Sequence, residues 1–555
     1  MDYEKRAYSK KKSINWPARW KAVVRLSLTM MIAIIVVPFL KVYAEEEVYQ
    51  TSAFYYFEDT EGVTITGVAD AYAVFDSDPE YDFLLGTMKI PEMIDGKKVT
   101  GIADRAFADL WAKTEMVYLP RTIKRIGEDI FGEGYHEIKH VYYDGTIEEY
   151  RNIEIGSNKL LDGAFIHHTK QKINPADYDF EYPAEENPIV YGGYIKKNGT
   201  LYNFDNKKIA TQIKDAALLT ERTYYNQMYY LTEDGKFYVE YDEHDEKTRT
   251  SVRKKKLLMK GVASYPASSH NTNSEQYVIT KKGVLYRLDV SIVDSKASVK
   301  KTKIMKNVKA FYYDTMGDYI KKNMNYFILK KDNTLWGYGD NMHYELGQGN
   351  TKTYEKPVKI MSNVAEFIYG FGTWGTSPRE GEGVCFAIKT DGSLWGWGSG
   401  EFDAFQITGD GNITKPKQLL DEVVDMDYDN HHVACLRADG VLWMWGTKVG
   451  EDWGHTENEG TLLVSNSGIV KIADNVKYMD MSSWWIYFIK NDKALYIFGN
   501  VDGADKTPQK LLSKVKYVSS QIEGDYAVRT DGTLYYFNEI KEVGKDKPKK
   551  VAEGL

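Results

Sequence analysis

Cysteine is almost absent from this chain of 555 residues, which has only Cys385 and Cys435. A disulfide framework is excluded, since one bridge is the maximum, and neither residue follows the N-terminal apolar stretch where a lipoprotein would carry it. Both sit in short apolar runs, Val384-Cys385-Phe386 and Ala434-Cys435-Leu436, which predicts two buried thiols acting as small hydrophobes. The N-terminal apolar stretch, Leu26 to Leu40, is also short and is interrupted by Pro38; a spanning helix needs roughly 20 residues. No Gly-rich phosphate loop, His-Glu-x-x-His, Gly-x-Ser-x-Gly or Cys-x-x-Cys motif occurs, which removes the motif-level case for nucleotide binding, zinc protease or serine hydrolase chemistry. An enzyme whose residues converge only in three dimensions stays open, because loops from distant repeats can meet on one face.

What the chain has in quantity is tyrosine: 43 Tyr beside 21 Phe and 12 Trp, within 43% hydrophobic and 27% charged residues. That composition belongs to a folded, mainly β protein with broad contact surfaces. The first 44 residues read as an export signal, with basic residues from Lys5 to Arg25, the apolar stretch, and small residues at −3 and −1 of a cleavage point after Ala44. The alternative is an uncleaved segment serving as a membrane anchor. Removing residues 1–44 leaves 63 basic against 78 acidic residues, net −15, compared with −8 for the whole chain. Such a surface repels nucleic acid phosphates.

Two repeat systems follow. In the first, Val99 to Phe107 recurs as Thr122 to Phe131, with Ile102 to Ile126 and Phe107 to Phe131 both 24 residues apart. An apolar-Pro step precedes each unit at Ile90-Pro91 and Leu119-Pro120. The period lies inside the leucine-rich range. These residues, with Gly62 to Gly67 before them and Val141 to Tyr150 after, resemble the BspA-like leucine-rich repeats of secreted proteins from low-GC Gram-positive bacteria. The resemblance implies a small curved solenoid in which each unit buries its Ile and Phe only by stacking on the next.

The second system repeats an apolar run, a basic or polar step, a tight turn and an aromatic strand. Its clearest copies are Phe327 to Gly339, Phe386 to Gly398 and Val433 to Gly446. Weaker ones centre on Asn198-Gly199, Asp234-Gly235, Lys282-Gly283, Asp492-Lys493 and Asp531-Gly532, making eight turns at a step near 50. Asp-Gly and Asn-Gly between apolar residues predict type I′ hairpins, and four strands per step make a propeller blade. The punctuation of WD and kelch blades does not recur. The pattern, with Asn341 to Gly349 after one aromatic strand, resembles the regulator of chromosome condensation repeat. That family usually has seven blades, so the eight turns leave seven or eight open, with Val551 to Leu555 closing the ring near Ile189 to Lys196.

The expected fold is therefore mainly β: a signal peptide (1–44), a short leucine-rich-repeat solenoid (45–168), a polar Pro-containing linker (169–188), and a seven- or eight-bladed β-propeller (189–555).

The candidate binding surface comprises Trp374, isolated between glycines in the longest repeat step, and His431, His432, Trp484 and Trp485, which align as a His pair and a Trp pair on one rim. Inter-blade packing is the alternative for both pairs. Asp425, Asp427 and Asp429 open like a calcium loop, but the twelfth position is Leu436 where a bidentate carboxylate is required; they read as an exposed strand face. Arg253 to Lys256, Glu243-His244-Asp245 and His167-His168 read as solvated loops. No catalytic residue, metal site or cofactor is expected.

The resemblances imply a secreted or cell-surface interaction or adhesion protein, without catalytic activity, that takes a protein or glycan ligand outside the cell. Nucleic acid is not expected, and a membrane only if the N-terminal segment is retained. The rivals are a secreted propeller enzyme acting on polysaccharide or cell-wall material, and a membrane-anchored envelope scaffold. Terminal sequencing of the protein exported by its native host is expected to give Glu45 as the first residue; an intact N-terminus would favour the anchored form.

Overall fold

The computed structural model describes residues 48–50, 53–69, 86–110, 114–132, 136–158, 161, 163–175, 188–190, 192–218, 228–245, 250–265, 275–293, 296–313, 324–372, 382–400, 404–405, 411–428, 432–446, 469–482, 485–499, 507–521, 524–537 and 548–555. The chain divides into two compact units, Met1–Lys172 and Ile173–Leu555.

The N-terminal unit is built on two sheets. One begins as an antiparallel run, Val48–Gln50, Phe54–Glu58 and Val63–Val68, and continues in parallel through Lys97–Ile102, Arg125–Ile126 and Glu154–Ile155. The other is parallel throughout: Gly86–Lys89, Thr114–Leu119, His140–Tyr143 and Phe165–His168. The 24-residue step is the physical repeat here, since Ile102 lies directly opposite Ile126 and the Phe107 and Phe131 rings are 5.4 Å apart. Strands this short bury little alone. Ile65, Ile102 and Ile126 of one sheet and Met88, Val117 and Val141 of the other join a single apolar cluster. One helix, Ile147–Arg151, is held by a capping box in which Thr146 and Glu149 satisfy each other's backbone amides. His167 and His168 lie in a strand and are buried, not in a solvated loop.

The second unit contains eight four-stranded antiparallel sheets, each made of four consecutive strands. They span 189–210, 213–260, 262–306, 308–361, 364–420, 423–473, 476–512 and 515–552, and are numbered here blades 1 to 8. Neighbouring first strands touch, for example Val423–Tyr428 with Val476–Ser482 and Val476–Ser482 with Val515–Gln521, so first strands line the axis. Fourth strands such as Lys296–Lys306 form the exposed rim. The fold is therefore an eight-bladed propeller, resolving the seven-or-eight alternative. Each third strand has a fully buried Leu or Phe as its first or second residue, from Leu201 and Phe237 through Leu285, Leu335, Leu394, Leu442 and Leu495 to Leu534. Each such side chain contributes about 1.5–3 kcal/mol relative to exposure.

All eight predicted turns are present, but their geometry is not type I′. Only the second turn residue is left-handed, with φ of 72° at Gly199, 58° at Asn333, 80° at Gly392 and 62° at Lys493. Its amide donates three residues back, as Gly392 N does to Lys389 O at 2.9 Å. This is a type I turn closed by a bulge at the left-handed residue. The preceding Asp serves as a side-chain acceptor, Asp391 Oδ1 taking the Ser393 amide at 3.0 Å. That explains why Asp is tolerated there without positive φ.

Blades are joined by a repeated elbow. A left-handed residue precedes the first strand, and the next amide donates to the second turn residue of the blade just left: Val262 to Gly235 at 3.0 Å, Val423 to Gly392 at 2.8 Å, Val515 to Lys493 at 2.8 Å. The elbow carbonyl accepts from the turn of the blade just entered, as Gly261 O does from Lys281 N at 2.8 Å. Between blades 8 and 1 the elbow is Gly554-Leu555: Leu555 N donates to Gly532 O at 3.0 Å and Gly554 O accepts from Lys197 N at 3.4 Å. The ring closes there, with Leu555 packed beside Ile189, Tyr194 and Val528. Strand Lys549–Ala552 itself pairs inside blade 8. Leu555→Ala is expected to cost roughly 2–5 kcal/mol, read as a lower denaturation midpoint; an unchanged midpoint would mean the closing elbow carries no stability.

Candidate functional site

The propeller's topology gives its two ends different chemistry. One end carries the turns between second and third strands, three to five residues each, with the elbows beside them. The other carries the connections between first and second strands, from two residues (483–484) to eleven (314–324), and those between third and fourth strands, from two (294–295) to twenty-three (447–469). Trp374, His431 and Trp484 fall in connections of that variable end and lie outside the described residues. Their neighbours are placed. His432 and Trp485 open the second strands of blades 6 and 7, each opposite the glycine ending its third strand, Gly446 and Gly499. His432 and Trp485 therefore occupy the same structural position. His432 is only 1% exposed. Trp485 is half-buried and its indole Nε1 donates to Asp525 Oδ2 of blade 8 at 3.0 Å.

Asp525 Oδ2 also accepts from Tyr487 Oη at 2.7 Å, and burial pushes its carboxyl above the ordinary range. Closer to the axis, Asp427 Oδ2 accepts the amide of Met481 in the next blade at 2.9 Å. One blade on, Asp480 accepts the amide of Ser520. Asp427 and Asp480 hold equivalent places, each four residues after its elbow residue, Val423 and Val476. A first strand at the axis is an edge strand with unpaired N–H groups, and these carboxylates cap them. Burial, then the Asp427 charge, raises Asp480 well above the usual carboxylate range. A carboxyl that keeps its proton is a resource for general acid chemistry, but here each group has an oxygen engaged by the neighbouring blade. The acidic stretch is thus not an exposed strand face: Asp425 is buried and Asp427 is a joint. Asp429 lies outside the described residues. Among the described residues no group of three or more His, Cys, Asp or Glu is placed to hold a metal ion.

The stretch from Asn341 is a second joint. Asn341 is fully buried; its Nδ2 donates to the carbonyls of Asn350 and Lys352 at 2.7 and 3.1 Å, and its Oδ1 accepts from Leu346 N at 2.8 Å. The loop so tied offers the Glu345 carbonyl to the next blade, where the buried Trp397 Nε1 donates to it at 2.6 Å and Cys385 Sγ lies at 3.4 Å. Blade 6 repeats the device, Trp445 Nε1 donating to Ala404 O at 2.9 Å. Sequence reasoning had the tryptophans as strand aromatics without their partners, which come from 41 and 52 residues away. Cys385 and Cys435 are fully buried, as expected, and both are free thiols; burial pushes Cys435 up to about 12. Arg253 to Lys256 lie on the exposed fourth strand of blade 2, where Arg253 pairs with Asp242 at 3.0 Å and Lys255 covers Tyr238, rather than in a loop.

The Glu345 side chain accepts from Asn325 Nδ2 at 3.1 Å and from His343 N at 2.8 Å, and burial raises it to about 7. Between the ordinary value of 4.5 and about 7 the folded chain holds a proton the unfolded chain has lost, so stability falls as pH rises through that window, by at most about 3 kcal/mol. Glu345→Gln is expected to flatten the dependence of the denaturation midpoint on pH between 5 and 8; an unaltered slope would assign that dependence elsewhere.

No family model matches the chain. Among curated proteins, the E3 ubiquitin-protein ligase HERC2 of Homo sapiens and that of Mus musculus are each 25% identical over 122 residues, 21% of this chain. The chain spans only 2% of the length of these relatives. Among solved structures, human WBSCR16 is 14% identical, with 53% of this chain and 82% of that chain covered at a TM-score of 0.33. Prp20p from Saccharomyces cerevisiae, solved together with its binding properties to Gsp1p and histones, is 15% identical, covering 50% and 75% at 0.30. The Kap60-bound yeast RCC1 (Prp20) is 16% identical, covering 59% and 73% at 0.29. The blade count rests on the strand pairing of this chain and not on these superpositions.

Proposed function

We propose that this protein is a secreted or cell-surface interaction module whose propeller engages a protein or glycan ligand through its variable end. One observation carries the reading: eight blades share near-identical turns and elbows at one end, while every large difference in connection length falls at the other. A rigid ring bearing unequal loops is how a scaffold presents a binding surface. The N-terminal unit, with its 24-residue step and two sheets extended one strand at a time, we read as a short BspA-type leucine-rich-repeat solenoid. The export-type N-terminus supports an extracellular location, with the anchored envelope scaffold as its variant if residues 1–44 are retained. A polysaccharide-acting enzyme built on the axial carboxylates Asp427 and Asp480, or on Asp525 beside them, would need them free for substrate; their engagement as inter-blade joints favours the binding reading.

The test is a binding screen of the exported chain against glycans, cell-wall fragments and extracellular host proteins, repeated with Trp374→Ala/Trp484→Ala. Saturable binding to one class, weakened at least tenfold in the variant, is expected. Unchanged affinity in a folded variant would remove the variable end from the interface, and turnover of any panel member would replace the binding reading with the enzymatic one.

A further inference from the structure

The outer strands of the propeller carry a charge asymmetry. The fourth strands of the eight blades hold 19 Lys and Arg against one acid, Glu355, in a chain whose net charge is −8. Each is the outer edge of its sheet, with one row of backbone groups outside the ladder. Lysine on such an edge discourages pairing with a strand of another chain, and one or two stand on each fourth strand of blades 1 and 4 to 8. Blades 2 and 3 depart from this. Thr250–Lys260 and Lys296–Lys306 carry five cations each and no acid. Their third and fourth strands run to 10 or 11 residues, against three to eight in the other six blades, and a strand of that length spans roughly 35 Å.

The two long hairpins share a support. Tyr241 Oη accepts the Ala297 amide across the blades at 3.3 Å, and Tyr241, Leu258 and Val290 belong to one apolar cluster against which Ile292, Ala297 and Val299 pack. The cations above it are uncommitted. Lys256, Lys260, Lys300, Lys301 and Lys303 are exposed and none takes part in an ion pair. The register explains why: Lys256 stands opposite Val239, Lys301 opposite Leu288 and Lys303 opposite Tyr286. Asp289, opposite Lys300, is taken by Arg287 at 2.9 Å, and Glu240 and Asp242 lie 3.7 and 3.0 Å from Arg253. Over residues 236–260 and 284–306, hairpin tips included, 14 basic residues stand against 7 acidic, net +7, while the remainder of the chain is net −15. Like charges in such a row repel one another, and a polyanion laid along them relieves that cost.

The same strands lack what other partners require. Neither has an aromatic residue, so nucleic acid bases have nothing to stack on. Val252 is the one large hydrophobic exposed among their described residues, too little for the apolar centre of a protein interface or for insertion into a lipid surface. Ammonium groups spaced along a line act as point charges without a bidentate fork, which suits a chain of repeated acid groups. We infer that the outer strands of blades 2 and 3 form a docking track for an extended anionic polymer, held through its charges. The track is separate from the variable-end surface, since all of its lysines lie within strands.

The test is titration of the full chain with long-chain polyphosphate and with heparin, beside pyrophosphate, duplex DNA and a folded acidic protein. Saturable binding of both flexible polymers is expected, at least tenfold tighter than that of pyrophosphate and weakened by about tenfold or more between 50 and 200 mM salt. Lys256→Gln/Lys300→Gln/Lys301→Gln/Lys303→Gln should lose at least tenfold in affinity. Lys356→Gln/Lys359→Gln/Lys415→Gln/Lys510→Gln, which removes equal charge from the outer strands of blades 4, 5 and 7, should stay within threefold of the parent. Thermal denaturation of each variant reports that the fold is intact. Absence of saturable binding, equal weakening in the two variants, or pyrophosphate bound as tightly as the polymers would overturn the track. Binding of only one of the two polymers would overturn recognition by charge alone, and tighter binding of duplex DNA or of the acidic protein would overturn the partner class.

Discussion

The amide bond from an elbow to a turn is the constraint on which the propeller depends. A blade is a four-stranded sheet with a free edge toward the axis and two apolar faces, and it is stable only when both faces are covered. The elbow fixes how the next sheet is laid against the previous one. It requires a left-handed residue before the first strand and a carbonyl presented by a left-handed residue in the turn. Those two positions are filled by Gly, Asn or an occasional Gln, Glu or Lys, with φ from 56° at Glu422 to 83° at Gly554 and Gly235. Everything else at that end follows. The turns must be short and their Asp residues must bind locally.

At the opposite end no such constraint operates, and the chain uses side chains instead. Trp397 and Trp445 reach into loops of the preceding blade; Asp427 and Asp480 reach forward to amides of the following one. These joints involve buried polar groups whose partners matter more than their own identity, because an unsatisfied buried donor or acceptor costs about 1–3 kcal/mol. The turn end has one such set of its own: Arg437, fully buried beside the Asp439-Gly440 turn, is held by the elbow residue Glu422 at 3.0 Å with Asp421 and Asp439 at 3.6 and 3.5 Å. Removing one partner of such a set is far more destabilising than the set is stabilising.

Most of the architecture was legible because local chemistry and global geometry coincide. Asp-Gly and Asn-Gly steps located five of the eight hairpins and the repeat spacing located the other three, at Lys282-Gly283, Asp332-Asn333 and Asp492-Lys493, since left-handed φ is a property of one residue and its immediate bonds. The 24-residue step located stacked Ile and Phe positions, since parallel stacking repeats at the sequence period. The turn type was misread because the same dipeptide serves two geometries, and only the φ of Asp391 and its counterparts distinguishes them. The buried strand at His167, the capping role of Asp427 and the partner carbonyl of Trp397 were not legible, because each depends on a neighbour from another repeat.

Because all four strands of a blade come from one continuous segment and every junction uses the same pair of backbone bonds, no strand is shared across the seam. Other rings that lock by borrowing a strand from the far terminus are committed to their blade number. Here an in-frame duplication or loss of one segment would recreate the same joint on both sides, and the only quantity that must adjust is the wedge angle between neighbours. The eightfold ring is in that sense one solution of a modular series, reachable from a sevenfold one without rewriting any interface.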